Sequence, residues 1–249
     1  MLHRLEEFTG IDIKTILLDD KETMHLIRNA DTLGISEFDS DFVRNMILEI
    51  KPTCFEDLVK ISGLAHGTYV WTDNAQELIE NETATLNEVI SLRDDIMNYL
   101  IEKGIEKEIA FNIMESVRKG KIINNRETRW EEYKKIMKNH NVPDWYIKSC
   151  EKIAYLFPRA HAINYVMNSF RLAYYKVHYP KEFYKTYFEV KASKKFDSKV
   201  LNNKEELLKT IEELKERTIN NENELDYNMH FMKKDYEVAL EMIEREIKI

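Results

Sequence analysis

Apolar residues recur every three or four positions along most of the chain, which is the spacing that places them on one face of an α-helix. The clearest run follows Thr85 and Glu88, a hydroxyl and a carboxylate at capping-box spacing, and it ends at Gly104. Residues 105–117 repeat the pattern as far as Gly120. The sequence therefore predicts two consecutive amphipathic helices, the first with the apolar positions Val89, Ile90, Ile96, Met97, Leu100 and Ile101.

Helix starts are indicated at three further places. Thr53 and Glu56 form a second capping-box pattern. Pro143 and Pro158 suit the first turn of a helix, where the missing N–H group costs no hydrogen bond. Only residues 187–191 alternate as a short strand would, so we expect an all-α fold.

The composition changes beyond residue 191. Residues 204–217 predict a charged helix, residues 218–228 are rich in Asn and Glu and predict a linker, and residues 236–249 predict another amphipathic helix. The predicted apolar face of the first of these helices comprises Leu207, Leu208, Ile211 and Leu214. We therefore expect a multi-helix domain followed by a helical C-terminal extension.

The composition supports helices. Only 6 Gly and 4 Pro occur in 249 residues, too few for the turns of a β-sandwich or the phosphate loops of a dinucleotide-binding domain. Cys54 and Cys150 have no CxxC spacing, which excludes a disulfide framework or a zinc site built on thiolates. No apolar run reaches about 18 residues and the N-terminus lacks the core of a signal peptide. We expect a cytoplasmic protein with no membrane partner.

The formal net charge of −8 is unevenly distributed. Residues 1–117 carry a net charge of −14, residues 118–185 a net charge of +9, and residues 186–249 a net charge of −3. A cationic block within an acidic chain suits a phosphate or nucleic-acid contact, because repulsion elsewhere confines a polyanion to one surface. Ordinary variation in surface charge is the alternative.

Asp39, Ser40 and Asp41 allow two interpretations. Two carboxylates at this spacing hold magnesium in nucleotidyl-transfer enzymes when they project from a strand. The residues that follow have helical spacing, however, and this favours a helix cap with first-turn acids. We therefore predict no metal site here.

Arg118, Lys119 and Lys121 surround Gly120 at the predicted end of a helix. A glycine lets the backbone approach a ligand closely, and three cations favour a phosphate. Cations and a glycine are also typical of any helix C-terminus. The residues alone leave both interpretations open.

Arg159, His161 and Tyr165 follow Pro158 in a predicted helix start. A cation is disfavoured at the positive end of a helix, so an anion is expected nearby. Exposed amides, an arginine and a histidine make a phosphate site, and Tyr165 lies one turn further on, where it can stack on a base or sugar. The alternative is a surface arginine with a packed histidine and tyrosine.

Several motifs follow one another in order, and together they resemble the fingers region of bacterial replicative DNA polymerases of family C, most closely the PolC type. They include Ser62-Gly63-Leu64-Ala65-His66-Gly67-Thr68, Asn74-Ala75-Gln76, Arg93-Asp94-Asp95-Ile96-Met97, Val117-Arg118-Lys119-Gly120-Lys121, Val142-Pro143-Asp144-Trp145-Tyr146-Ile147 and Phe157-Pro158-Arg159-Ala160-His161-Ala162 with Tyr165.

The resemblance implies roles for both basic segments. The family's fingers are helical, cover the incoming deoxynucleoside triphosphate and contact the template strand. By resemblance, the residues that face the triphosphate or the template backbone are Arg118, Lys119 and Lys121. The residues that line the nucleotide side of the pocket are, again by resemblance, Arg159, His161 and Tyr165. The family usually has lysine in place of Arg159, a mild change, and an acid in place of Tyr69.

The resemblance also implies partners and a domain division. Residues 1–190 correspond to the fingers, and residues 191–249 to a linker and the start of a C-terminal duplex-binding region. The expected partners are a DNA template-primer, deoxynucleoside triphosphates and the palm domain, whose three aspartates bind magnesium in the complete polymerase. No palm segment is recognisable, so we expect a polymerase fragment that is inactive alone. A free-standing helical nucleic-acid-binding protein is the alternative.

Overall fold

The computed structural model describes residues 1–194, 196–220 and 227–249, and within these residues the fold is helical without a β-strand. The all-α prediction is confirmed. The α-helices of this described part are α1 (Leu2–Thr9), α2 (Lys21–Arg28), α3 (Asp41–Ile50), α4 (Phe55–His66), α5 (Gln76–Glu80), α6 (Arg93–Glu102), α7 (Lys107–Arg118), α8 (Trp130–Asn139), α9 (Asp144–Lys152), α10 (Arg159–His178), α11 (Pro180–Thr186), α12 (Lys204–Asn220) and α13 (Tyr227–Glu244).

The chain divides into two compact units. Unit 1 comprises Met1–Leu48 and Asn168–Ile249, and unit 2 comprises Glu49–Met167. The predicted division between fingers and C-terminal region, after residue 190, is a functional one and stays a prediction. None of the described helices is long and apolar enough to cross a membrane.

Unit 1 has an apolar cluster between α12 and α13. The buried members of this cluster are Val200, Leu207, Ile211, Leu214, Tyr236 and Ala239. Leu208, predicted on the same face, is 47% exposed, so that assignment is wrong. The last helix begins at Tyr227 rather than at residue 236. Of the predicted linker, residues 218–220 belong to α12, and residues 221–226 lie outside the described residues.

A largely buried ion pair joins Lys176 to Glu241 of α13 in unit 1. The Lys176 ammonium, which is fully buried, lies 2.7 Å from a carboxylate oxygen of Glu241. It also donates to the carbonyl oxygens of Asp31 and Leu33, at 2.9 and 2.8 Å. Burial lowers the pKa of Lys176 to about 8, although Glu241 acts in the opposite direction. The Tyr184 hydroxyl donates a hydrogen bond to the Glu241 carboxylate at 2.9 Å, so this carboxylate has more than one hydrogen-bond donor.

Unit 2 packs α6 against α7, joined by a turn in which Gly104 has a φ of +85°. The predicted turn at Gly104 is confirmed, but the helix before it starts later than predicted. The backbone N–H and the hydroxyl of Thr85 donate to the Glu88 carboxylate at 2.8 and 2.7 Å, as expected, but these hydrogen bonds form a turn and not the start of a helix. Helix α6 begins at Arg93 because Asp95 accepts hydrogen bonds from Ser91 and Leu92.

The capping box at the start of α4 is displaced by one residue. The carboxylate that caps this helix belongs to Asp57, which accepts from the backbone N–H groups of Thr53 and Cys54 at 2.7 and 3.3 Å. The prediction that Glu56 does so is wrong, because the helix begins at Phe55 and places Asp57 at its third position. This register leaves Glu56 available for another partner.

Two other local predictions have clear outcomes. Residues Tyr187–Lys191 form a π-helical turn that continues α11, so the suggested strand is wrong. Ser40 caps α3: the backbone N–H of Val43 lies 3.3 Å from its hydroxyl, and that of Arg44 lies 2.9 Å from its carbonyl oxygen. The capping interpretation of this acidic segment is thereby confirmed.

Candidate functional site

The short segment between α9 and α10, residues 153–158, organises the candidate site in unit 2. The backbone N–H of Thr68 donates to the carbonyl oxygen of Tyr155 at 2.9 Å, and the backbone N–H of Ala154 donates to the carbonyl oxygen of Thr68 at 3.0 Å. The backbone N–H of Arg93 donates to Phe157 at 3.1 Å. Because other parts of unit 2 hold its backbone, the segment gives α10 a fixed starting point.

The first basic cluster lies at the C-terminal end of α7, as predicted. Arg118 forms a two-bond ion pair with Glu115, and the ammonium of Lys119 lies 2.7 Å from the same carboxylate. The hydrogen bonds from Arg118, together with Lys119, lower the pKa of Glu115 to about 2, against the effect of burial. Lys119 and Lys121 are exposed, whereas Arg118 is partly buried.

Gly120 lies within this cluster and has a φ of +61°, a left-handed conformation that favours glycine. A β-carbon there would lie 2.4 Å from the carbonyl oxygen of Ala154. The carbonyl oxygen of Arg118 lies 3.4 Å from the backbone N–H group of Leu156, which donates to it. The end of α7 is therefore packed directly against the segment that leads into α10.

The second basic cluster lies at the start of α10. Pro158 precedes the first helical residue, and its carbonyl oxygen accepts from the backbone N–H groups of His161 and Ala162 at 3.1 and 3.2 Å. The backbone N–H of Arg159 donates to Asp94 at 3.0 Å. An anion was expected at this helix start, and Asp94 supplies one from the protein itself.

The Arg159 side chain also has a carboxylate partner. Its Nη2 atom donates to Oε2 of Glu56 at 2.7 Å, and the two side chains are 35% and 41% exposed. Such a half-exposed pair contributes only about 0–1 kcal/mol to the free energy of unfolding. The contact orients the arginine without removing it from solvent.

Four rings surround the start of α10. The ring of Tyr165 stacks on that of Phe157, with centroids 5.9 Å apart and an interplanar angle of 20°. His66 contacts both rings edge-on, at 4.7 Å from Phe157 and 6.0 Å from Tyr165. The His161 ring lies 6.1 Å from Phe157 and is exposed. Tyr165 is 43% exposed, so this cluster holds one side of its ring and leaves much of the side chain accessible.

The structure thus places the two predicted basic clusters against the same short segment, residues 153–158. Leu156, which is bonded to Arg118, precedes Arg159 by three residues. Sequence reasoning missed the carboxylates that accompany these clusters, which are Glu56, Asp94 and Glu115. Only Glu115 has a sequence signal, since it stands three and four positions before Arg118 and Lys119 on one helix. The other two meet Arg159 through the tertiary fold.

No group of three His, Cys, Asp or Glu side chains able to hold a metal ion occurs in the part of the chain that the structure describes. The candidate site offers a guanidinium at each basic cluster, exposed ammonium groups and a partly exposed tyrosine ring, together with the carboxylates that pair with the guanidinium groups.

Comparison with known proteins identifies the family of this chain. The sequence profile of the bacterial DNA polymerase III alpha subunit finger domain matches residues 1–141. A PolC-type DNA polymerase III of Caldanaerobacter subterraneus subsp. tengcongensis is 47% identical over an alignment that covers 100% of this chain and 18% of the relative.

Two further relatives carry the same description. The PolC-type DNA polymerase III of Thermotoga maritima is 45% identical, with 97% of this chain and 18% of the relative covered. That of Bacillus subtilis is 50% identical, with 77% and 14% covered. The chain therefore spans less than a fifth of the length of these relatives. Since the profile covers more than half of its residues, the chain belongs to the finger-domain family of the bacterial DNA polymerase III alpha subunit.

Proposed function

We propose that this chain binds the incoming deoxynucleoside triphosphate and template DNA as the fingers of a PolC-type replicative polymerase. Its relatives are described as DNA polymerases, and the proposal extends that description to this chain. Phosphate groups contact Arg118, Lys119 and Lys121 at one end of the site and Arg159 and His161 at the other. Tyr165 stacks on the base or sugar of the nucleotide.

One observation carries the proposal: both basic clusters adjoin residues 153–158, since Leu156 donates a backbone hydrogen bond to Arg118 and Arg159 directly follows Pro158. A nucleotide or a DNA strand carries several phosphates, and a surface with cations at more than one point suits such a ligand. The partly exposed ring of Tyr165 adds the stacking surface that nucleic-acid grooves combine with cations.

The chemical step lies outside the proposed role of this chain. Phosphoryl transfer needs metal-held carboxylates for the attacking and leaving oxygens. By resemblance, these belong to the palm domain, which also binds the magnesium. We therefore expect the 249-residue chain alone to give no product in a primer-extension assay with magnesium and all four deoxynucleoside triphosphates. Reproducible primer extension by a pure sample would contradict the assignment of the chemical step to the palm domain.

Binding to single-stranded DNA tests the proposed function. The full chain should bind a fluorescently labelled oligonucleotide at low salt, and the affinity should fall steeply as salt is raised, because phosphate contacts release counterions. Arg118→Ala should weaken this binding. Lys107→Ala is the matched control, since Lys107 is an exposed cation at the opposite end of the same helix, about 16 Å away. Equal losses in both variants, or binding indifferent to salt, would refute the assignment.

A further inference from the structure

Glu56 holds the guanidinium that the proposed function assigns to a ligand phosphate. Its carboxylate lies 2.7 Å from Nη2 of Arg159, a residue 103 positions further along the chain. Glu56 stands in the first turn of α4, and the adjacent Asp57 caps that helix. The pair is therefore a product of the tertiary fold of unit 2, and both partners remain partly exposed to solvent.

Glu56 binds Nη2 of Arg159, the nitrogen that both two-bond binding modes of an arginine use. An arginine binds a phosphate or carboxylate with two bonds either through Nε and Nη2 or through its two Nη atoms. Arg118 uses Nε and Nη2 in this way toward Glu115, and Arg129 does so toward Glu132. Both edges of the guanidinium include Nη2. A phosphate bound to either edge of Arg159 would therefore displace the Glu56 carboxylate or lie beside its negative charge.

We propose, on the basis of the proposed function, that Glu56 is an internal competitor that limits the affinity of Arg159 for the nucleotide phosphate. Asp94 does not play the same part, because it accepts from the backbone N–H of Arg159 and so caps α10. The side-chain nitrogens Nε and Nη1 of Arg159 make no hydrogen bond within the described residues. The guanidinium can exchange one acceptor for another without disturbing the helix start.

The exchange is energetically feasible. A half-exposed ion pair is weak, whereas an arginine bound to a phosphate through two charge-assisted hydrogen bonds is among the stronger polar contacts in proteins. Glu56 therefore does not prevent ligand binding. It reduces the affinity and keeps Arg159 in place when no ligand is bound.

Glu56→Gln tests the proposal, because it keeps the size of the side chain and removes its charge. The dissociation constant of dATP, measured by an NMR chemical-shift titration of the full chain, should fall about twofold to fivefold. Glu131→Gln is the control: Glu131 is a highly exposed carboxylate paired with Lys134 elsewhere in unit 2, and its loss should leave the constant unchanged. Arg159→Ala serves as the reference for loss of the phosphate contact.

The outcomes separate this proposal from the proposed function. If wild-type binding depends on Arg159 and Glu56→Gln leaves it equal or weaker, Glu56 is not a competitor, although the proposed function stands. If Arg159→Ala does not alter dATP binding, or no form binds dATP, both fail. Should Glu56→Gln not fold, Glu56→Asp provides a second variant. Its shorter side chain withdraws the carboxylate from Nη2, and the dissociation constant should fall by a smaller factor.

Discussion

Gly120 and Ala154 approach each other so closely that a β-carbon on Gly120 would lie 2.4 Å from the carbonyl oxygen of Ala154. This contact joins the end of α7, with Arg118 and Lys119, to the segment that leads into α10 and Arg159. The geometry of the proposed site depends on it, because the relative placement of the two basic clusters follows from this packing.

Gly120→Ala should therefore destabilise the protein. The residue must keep a left-handed φ of +61° and must also move away from Ala154, so we expect the free energy of unfolding to fall by about 2–4 kcal/mol. Gly10→Ala is the control. Gly10 has a φ of +70° but nothing within 4 Å of its added β-carbon, so only about 1 kcal/mol is expected. Urea denaturation followed by circular dichroism measures both, and equal losses would contradict a steric role for Ala154.

The start of α6 gives a second prediction. Asp95 accepts from the backbone N–H groups of Ser91 and Leu92 and from the Ser91 hydroxyl, at 3.0, 2.9 and 2.6 Å, and it is only partly exposed. Asp95→Ala should lower the free energy of unfolding by about 1–3 kcal/mol, because it leaves these donors unsatisfied. Glu88→Ala removes the solvent-exposed hydrogen bonds to Thr85 and should cost less. A larger loss for Glu88→Ala in thermal denaturation would show that the predicted box, and not Asp95, starts the helix.

These two capping sites show how far local sequence patterns extend. The spacing of three residues from Thr85 to Glu88 correctly locates a turn. The helix, however, starts after Ser91, whose backbone N–H donates to Asp95 four positions later. A spacing of four residues also separates Thr53 from Asp57, which caps α4. Apolar periodicity identifies the helices and the turns at Gly104 and Gly120, since these depend on residues close in sequence. A shift of one residue in the start of a helix changes which carboxylate caps it, and apolar periodicity does not define the start that accurately.

The pH dependence of stability gives a third prediction, from Glu115. The pKa of Glu115 is about 2 in the folded chain, below its ordinary value of 4.5, because of the hydrogen bonds from Arg118 and Lys119. A carboxylate with a lowered pKa adds stability above its unfolded pKa and loses that contribution as the pH falls toward its folded pKa. The difference in urea midpoint between wild type and Glu115→Gln should therefore shrink as the pH is lowered from about 5 to about 2.

Glu108→Gln is the matched control for this measurement. Glu108 is an exposed carboxylate in the first turn of the same helix, and the structure gives it none of the cationic partners of Glu115. The difference between wild type and Glu108→Gln should change less over the same range. A wild-type advantage over Glu115→Gln that persists undiminished at the lowest pH would contradict the ion-pair account.

The buried pair of Lys176 and Glu241 gives a fourth prediction. Lys176→Met removes the buried ammonium partner of Glu241 and leaves that carboxylate with the partly exposed guanidinium of Arg245, 3.2 Å away, as its cationic partner, so the free energy of unfolding should fall by about 1–3 kcal/mol. Adding Glu241→Gln should restore part of the loss, because the carboxylate that has lost its buried ammonium partner then carries no charge. Lys134→Met is the control: Lys134 pairs near the surface, and its removal should cost no more than about 1 kcal/mol. Additive effects in the double variant would argue against a coupled pair.

The candidate site was predictable in part for a related physical reason. Cations at a helix end and a proline before Arg159 are visible in the sequence, and so are the family motifs that contain them. The partners of Arg159 are not visible, because Asp94 and Glu56 stand 65 and 103 positions away and reach it only in the folded chain. An expected anion at a helix start therefore predicts that a negative group is present, without saying whether it belongs to a ligand or to the protein.

Kinetics of Arg159→Ala in a complete PolC-type polymerase containing this chain tests the central claim most directly. If Arg159 binds the nucleotide phosphate, kcat/KM for the incoming deoxynucleoside triphosphate should fall about 10-fold to 1,000-fold. The free energy of unfolding should change by no more than about 1 kcal/mol, because the pair with Glu56 is half-exposed. Unaltered nucleotide kinetics with a clear loss of stability would contradict the account and make Arg159 a structural residue.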